Sequence, residues 1–213
     1  MVAAVVLAAV SVAACTTTTY RGYDGAAEES LPWDRDIASD VDPAIYLAPL
    51  SCVVVAPTSQ GEDSPLGEII ERALARHLSE RVRRVIGPTE RRRMERELVF
   101  DLNDAGDRRH FGDASGCRAF LDWTVLAAAS DYAVVFSQRR FGMEVTLSHP
   151  GGGTFLWRAA HVARRTEGGL PLSLVSVPLA AFEATRFHQD EDILASMVDD
   201  VVRRVFVTLP DLR

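Results

Sequence analysis

The sequence of 213 residues contains no lysine; all 23 of its basic side chains are arginine. Cysteine occurs three times, and aromatic residues make up 8% of the chain. Thirty acidic side chains outweigh the arginines and leave a formal charge of −7. A chain of that sign is a poor match for nucleic acid, which rewards concentrated positive charge. No apolar run approaches the about 20 residues that a membrane-spanning helix needs. The sequence has no Gly-x-Ser-x-Gly elbow, no His-Glu-x-x-His helix, no Cys-x-x-Cys pair and no four-ligand zinc set. Its histidines are scattered, so the expectation is a protein with no metal, no cofactor and no catalytic centre. What the chain does have is a hydrophobic fraction of 47%, enough for one buried core in one domain.

The first apolar run, residues 2–14 (VAAVVLAAVSVAA), stops at Cys15. It is too short to span a bilayer and has the length of a signal-peptide core. Val12-Ala13-Ala14-Cys15 resembles the lipobox of bacterial lipoproteins, with Val12 where that pattern prefers leucine and no Arg or Lys before the run. The resemblance implies cleavage before Cys15, acylation of its thiol and of its new amino group, and anchorage in membrane lipid. Thr16 stands where an aspartate would favour retention in the inner membrane, so the resemblance implies an outer-membrane anchor with the body of the protein in the periplasm. Residues 15–43 then read as the lipidated cysteine and an acidic tether. Glu28, Glu29, Asp34, Asp36 and Asp40 leave that stretch little to bury, and Trp33 fits two readings, an anchor docking the segment onto the domain or a side chain at the membrane interface.

Residues 44–213 read as a single α/β domain. Cys52-Val53-Val54-Val55-Ala56 is a β-branched run stopped by Pro57, the pattern of a strand covered on both faces. Ser64-Pro65 opens a helix whose apolar residues, from Leu66 to Val82, recur at threes and fours. His77 lies beside that stripe and reads as a packed histidine. A short strand is expected at Val82–Ile86, and a helix from Glu90 to Val99 capped by Thr89. Glu90, Glu95 and Glu97 interrupt Arg91-Arg92-Arg93, so the triple arginine reads as a solvated helix face. Asp101 to Asp113 reads as a polar loop containing Arg108, Arg109 and His110, a first candidate partner surface.

A second helical block is expected from Ser115, carrying Cys117, Phe120, Leu121, Val125 and Ala128, followed by a strand at Tyr132–Phe136. Met143–His149 and Thr154–Arg164 alternate with period two and form an antiparallel hairpin, with Phe155, Trp157, Ala159, His161 and Ala163 sharing one face. Its turn, Pro150-Gly151-Gly152-Gly153, is the second candidate partner surface. The glycines are no phosphate loop, because no lysine follows them and a strand does. His149 falls opposite Thr154 in the simplest register, so His149 and His161 form no metal pair. After a further extended piece at Leu172–Leu179, a helix from Asp190 pairs Ile193/Leu194, Met197/Val198, Val201/Val202 and Val205/Phe206, with Asp199–Arg203 and Asp200–Arg204 on its wet face. Cys52 and Cys117 fit two readings. An oxidising compartment permits a disulfide across a long loop, and two buried free thiols suit the same positions.

The fold class these elements imply is α/β: a small mixed sheet with an antiparallel meander, packed against amphipathic helices. Three short segments resemble the CsgG/LpoB-type periplasmic lipoproteins. They are Cys52-Val53-Val54-Val55-Ala56-Pro57, Ala129-Ser130-Asp131-Tyr132 and Gly153-Thr154-Phe155-Leu156-Trp157, within a likeness running from Ala44 to Phe206. The resemblance implies a binding or assembly protein that partners an envelope protein or the cell-wall and polysaccharide machinery, and it allows self-association. The chain departs from the curli channels of that group in having no pair of long membrane hairpins. Read this way, the protein is a lipid-anchored envelope adaptor. The alternative is a periplasmic binder of small ligands or glycans, and a hydrolase ranks below both.

Overall fold

The computed structural model describes residues 20–23, 36–47, 50–58, 64–133, 136–150, 153–168 and 191–213. In chain order the elements are β1 (Tyr20–Gly22), β2 (Ile37–Val41), a 3-10 turn (Pro43–Tyr46), β3 (Cys52–Val55), α1 (Pro65–Ser79), β4 (Arg84–Ile86), α2 (Pro88–Leu98), α3 (Ala105–Ser115), β5 (Phe120–Ala133), β6 (Phe136–Ser148), β7 (Phe155–Gly168) and α4 (Glu191–Phe206). The strands form one mixed sheet in the order β1-β2-β7-β6-β5-β3-β4. β3 runs parallel to both β4 and β5, while β5, β6 and β7 form an antiparallel meander. The expected α/β class, mixed sheet and meander are therefore present.

Strand alternation sorts the core into two layers. Val53 and Val55 of β3, Leu121 and Trp123 of β5, Phe141, Met143, Val145 and Leu147 of β6, and Trp157 and Ala159 of β7 face α1 and α4. On α4, Met197, Val198, Val201, Val202, Val205 and Phe206 are all buried there, as the paired apolar spacing requires. Cys52 and Val54 turn to the opposite face, where Ile86, Leu102, Phe111, Cys117 and Phe120 form a much smaller cluster under α2 and α3. Ser64 caps α1 by accepting from the Gly67 amide at 3.0 Å, with Pro65 at the first helical position.

Several sequence expectations are corrected. Residues 15–43 are not wholly a tether, because β1 and β2 are strands of the sheet. Ile37 and Ala38 are buried, and β2 pairs with β7 from Ile37↔His161 to Val41↔Trp157. The block after Ser115 is strand β5 and not a helix, and Cys117 lies in the link between α3 and β5. Tyr132–Phe136 is not a separate strand; it covers the end of β5 and the start of β6, with 134–135 outside the described residues. In the β6–β7 hairpin the register slips by one at Leu156, since Leu147 pairs with Trp157 and Ser148 with Phe155. That bulge turns Phe155 to the face opposite Trp157. Asp199 does not pair with Arg203. It bonds Arg76 and His77 of α1, the latter at 2.7 Å, while Asp200 takes Arg204 at 2.8 Å. Thr89 does not cap α2, whose N-cap is Gly87. Cys15, residues 1–14, Trp33 and Leu172–Leu179 lie outside the described residues.

A candidate partner surface on the flank of the sheet

The two ends of the sheet differ. At the lower end β3, β4 and β5 begin and the β6–β7 turn lies; at the upper end the chain enters at Tyr20 and β5 turns into β6. The expected loop at Asp101–Asp113 is mostly helix α3, so Arg108, Arg109, His110 and Asp113 are helical residues. The helix starts where Asp104 accepts from the Gly106 and Asp107 amides, at 2.7 and 2.9 Å, and these bonds hold the Asp104 carboxyl below its usual range. It ends at Gly116, whose φ of 72° is a conformation that suits glycine.

α3 separates the four candidates by role. Arg108 pairs with Asp122 and lies 4.9 Å over the Phe120 ring, so it joins the helix to β5 and is not offered to a ligand. Arg109 is exposed. His110, also exposed, stacks on Phe100 with ring centroids 6.2 Å apart. Asp113 is exposed and lies 3.8 Å from Arg118. Gly112 lets the helix come close to the hairpin turn: a Cβ there would lie 3.0 Å from the Cys117 carbonyl oxygen and 3.6 Å from Pro150. His149 donates from Nδ1 to the Arg118 carbonyl at 3.0 Å, tying the same two segments. Both sequence-predicted surfaces therefore adjoin at the lower end, through α3 and Pro150. Gly153 has φ 106°, while Gly151 and Gly152 lie outside the described residues.

Above α3 the surface continues into an open groove of about 490 Å³ at the C-terminal end of β3, lined by Pro57, Arg91, Arg92, Glu95, Arg96, Phe100, Asp101 and Asn103. The groove differs from the sequence expectation because Arg91 does not lie on a solvated face. Arg91 is 2% exposed. It donates to the Val55 carbonyl at 2.7 Å and to both oxygens of buried Glu71 at 3.1 and 3.2 Å, and its Nε lies 3.6 Å from Glu95. Arg92 reaches Glu71 and Glu68 at 3.3 and 3.4 Å. Burial raises the Glu95 carboxyl above its ordinary range, and the Arg91 charge offsets this in part. At the helix end Val99 has φ 55° and is 87% exposed, an unusual left-handed conformation for a β-branched residue. With Leu98 it forms an apolar rim beside the groove.

Cys52 and Cys117 are disulfide-bonded, their Cα atoms 4.9 Å apart, beneath α3. The bond joins β3 to the segment that leads from α3 into β5, so it fixes the base of the candidate surface. His149 and His161 are separated along the hairpin, and His161 donates from Nδ1 to the Asp36 carbonyl at 3.0 Å. Among the described residues no group of three or more His, Cys, Asp or Glu side chains is placed to hold a metal ion.

No family model matches the sequence, and no curated protein does either. Among solved structures the chain is similar to the PelC dodecamer from Paraburkholderia phytofirmans, at 17% identity over 79% of this chain and 95% of that one, with a TM-score of 0.43. It is also similar to lipoprotein GNA1162 from Neisseria meningitidis, at 17% identity over 74% and 99% of the two chains, TM-score 0.45. A minor lipoprotein from Acinetobacter baumannii matches at 12% identity over 75% and 90%, TM-score 0.41. Likenesses this distant assign the chain neither a family nor an activity.

Proposed function

We propose that the chain is a lipid-anchored accessory protein of the bacterial envelope that works by binding, with acylated Cys15 in the outer membrane and the α/β domain in the periplasm. The observation that carries the binding role is the continuous flank formed by the groove, the exposed face of α3 and Pro150. Its α3 part lies on the sheet face opposite α1 and α4 and runs to the end of the sheet away from the chain's entry at Tyr20, while the groove lies at the end of β3 where Arg91 and Arg92 of α2 meet Glu71 and Glu68 of α1. A protein held by its N-terminus thus keeps this flank turned to the periplasm. The groove is open and lined by arginines and carboxylates, which suits a protein or polysaccharide chain laid across it better than an enclosed apolar small molecule. Arg109, His110 and Asp113 are exposed on α3 beside the groove, and Arg108 serves to hold α3 in place.

Capture from intact envelopes tests this reading. The double substitution Arg109→Glu, Asp113→Arg should weaken partner crosslinking while leaving the thermal midpoint unchanged, because neither side chain is buried. Unaltered capture would remove α3 from the binding surface. Cys15→Ser should abolish lipid labelling and release the domain from the membrane.

A further inference from the structure

The length of chain between the proposed anchor and the first strand restricts how the domain can sit on a membrane. Only Thr16–Thr19 separate Cys15 from Tyr20. Even fully extended, that link reaches no more than about 18 Å. Tyr20 itself is fixed, because β1 pairs with β2 from Tyr20↔Ile37 to Gly22↔Ser39. Tyr23 then docks on the sheet. Its hydroxyl donates to Glu144 at 2.6 Å, and its ring covers the Arg158 guanidinium at 4.1 Å. Arg158 in turn lies over Phe155 at 4.2 Å and pairs with Asp40 at 3.1 Å. Burial and the neighbouring Glu144 carboxylate push the Tyr23 hydroxyl up to about 12, so it remains a donor at neutral pH.

The level of Tyr20 on the sheet is known from the register. It lies beside Ile37, and Ile37 lies beside His161 of β7. From there β7 continues upward to Gly168, where it is still paired with Phe136 of β6. At about 3.3 Å per residue that upward run covers about 23 Å. β1 runs antiparallel to β7, so the chain enters β1 from the side towards which the three-stranded arm of β5, β6 and β7 extends. The arm therefore reaches at least as far as the anchor can.

We infer that the upper end of the β5–β6–β7 arm rests on the lipid headgroups of the membrane that holds Cys15. The inference depends on the acylation proposed above. It is a contact with the surface and not a span: the stretch that joins β5 to β6 in the sequence, Tyr132-Ala133-Val134-Val135-Phe136, is apolar but short. Just below it the register sets Arg139 opposite Arg165 and Arg140 opposite Arg164, a band of positive charge that favours an anionic headgroup layer; Arg165 also donates to Ser196 of α4 at 2.7 Å. A bilayer is thus the occupant of this end, and the flank with α3 and Pro150 is held away from it.

A nitroxide label on the full-length lipidated chain in phosphatidylethanolamine–phosphatidylglycerol vesicles tests the contact. With Cys15 acylated and Cys52 bonded to Cys117, Ser137→Cys supplies the one free thiol at the arm end, Glu167→Cys gives its register partner on β7, and Ala114→Cys places a label on α3. On vesicles, the labels at 137 and 167 should lose accessibility to an aqueous nickel chelate severalfold relative to the label at 114. If the chain floats with vesicles but all three labels stay equally accessible, the arm contact is wrong and the anchor stands. If the unlabelled chain does not float at all, the anchor reading falls and this inference falls with it.

Discussion

The two faces of the sheet are built differently. The face under α1 and α4 is a broad apolar layer in which helix stripes meet the alternate residues of β3, β5, β6 and β7. The face under α2 and α3 has a small apolar cluster and is tied by specific bonds: the Cys52–Cys117 disulfide, the Arg91–Glu71 pair and the Arg108–Asp122 pair. Apolar burial is non-directional and accumulates with area, so the first face can be held by bulk packing. The second has too little area for that and depends on individual contacts, which also leaves its outer side free to carry a groove and exposed polar groups. Bulk apolar packing and individual ties thus occupy opposite faces of one sheet.

The largest expected effect breaks the apolar face. Val202→Asp, at a fully buried position on α4, should cost about 4 kcal/mol or more in urea unfolding, moderated by protonation of the new carboxyl. Next is the ionic tie of the other face. Arg91→Ala leaves buried Glu71 with Arg92 alone, at 3.3 Å, and should cost about 3 kcal/mol; if Arg91→Ala changed stability by under about 1 kcal/mol, the pair would not be what holds α2. Replacing both Cys52 and Cys117 by alanine should cost about 2–4 kcal/mol. Hydrogen exchange should then speed up in α2 and α3 before α1 and α4, and equal acceleration on both faces would show that the layers open together.

The smallest effect sharpens the comparison through pH. Burial alone would raise the Asp199 carboxyl, but the His77 hydrogen bond and the Arg76 charge outweigh it and hold it below the usual range. A carboxyl lowered in the folded state contributes stability above its unfolded value, about 3.9, and loses it as pH falls through the folded value. Asp199→Asn should therefore lower the midpoint at neutral pH and make the acid limb of the stability curve shallower. An unchanged acid limb would mean that the α1–α4 bridge adds nothing beyond the apolar contact.

The elements that could be read from the sequence are those whose periodicity is complete within one segment. β3, α1, α4 and the β6–β7 hairpin each show their own pattern, and each is present. β5 was not legible because Cys117, Phe120, Leu121, Val125 and Ala128 recur at helical spacings. Its true alternation, Leu121 and Trp123 to one face and Phe120 and Asp122 to the other, has meaning only beside β3 and under α3. α3 was hidden by Gly106 and Gly112, although Asp104 and Gly116 mark its two ends. β2 is a five-residue strand whose partner β7 lies more than a hundred residues away. The groove was invisible for a related reason: whether Arg91 is buried is decided by Glu71 on another helix. Of the candidate residues, Arg109, His110 and Asp113 are exposed on a helix, and Arg108 is spent on Asp122.

On the proposed reading the α3 flank meets a partner while the N-terminus holds lipid. A photoreactive residue at Arg109, introduced into the full-length chain in intact envelopes and compared with one at Arg203 on the wet side of α4, tests it most directly. Position 109 should give a discrete protein or polysaccharide adduct and position 203 none. Equal labelling from both positions, or adducts from 109 with lipid alone, would contradict it.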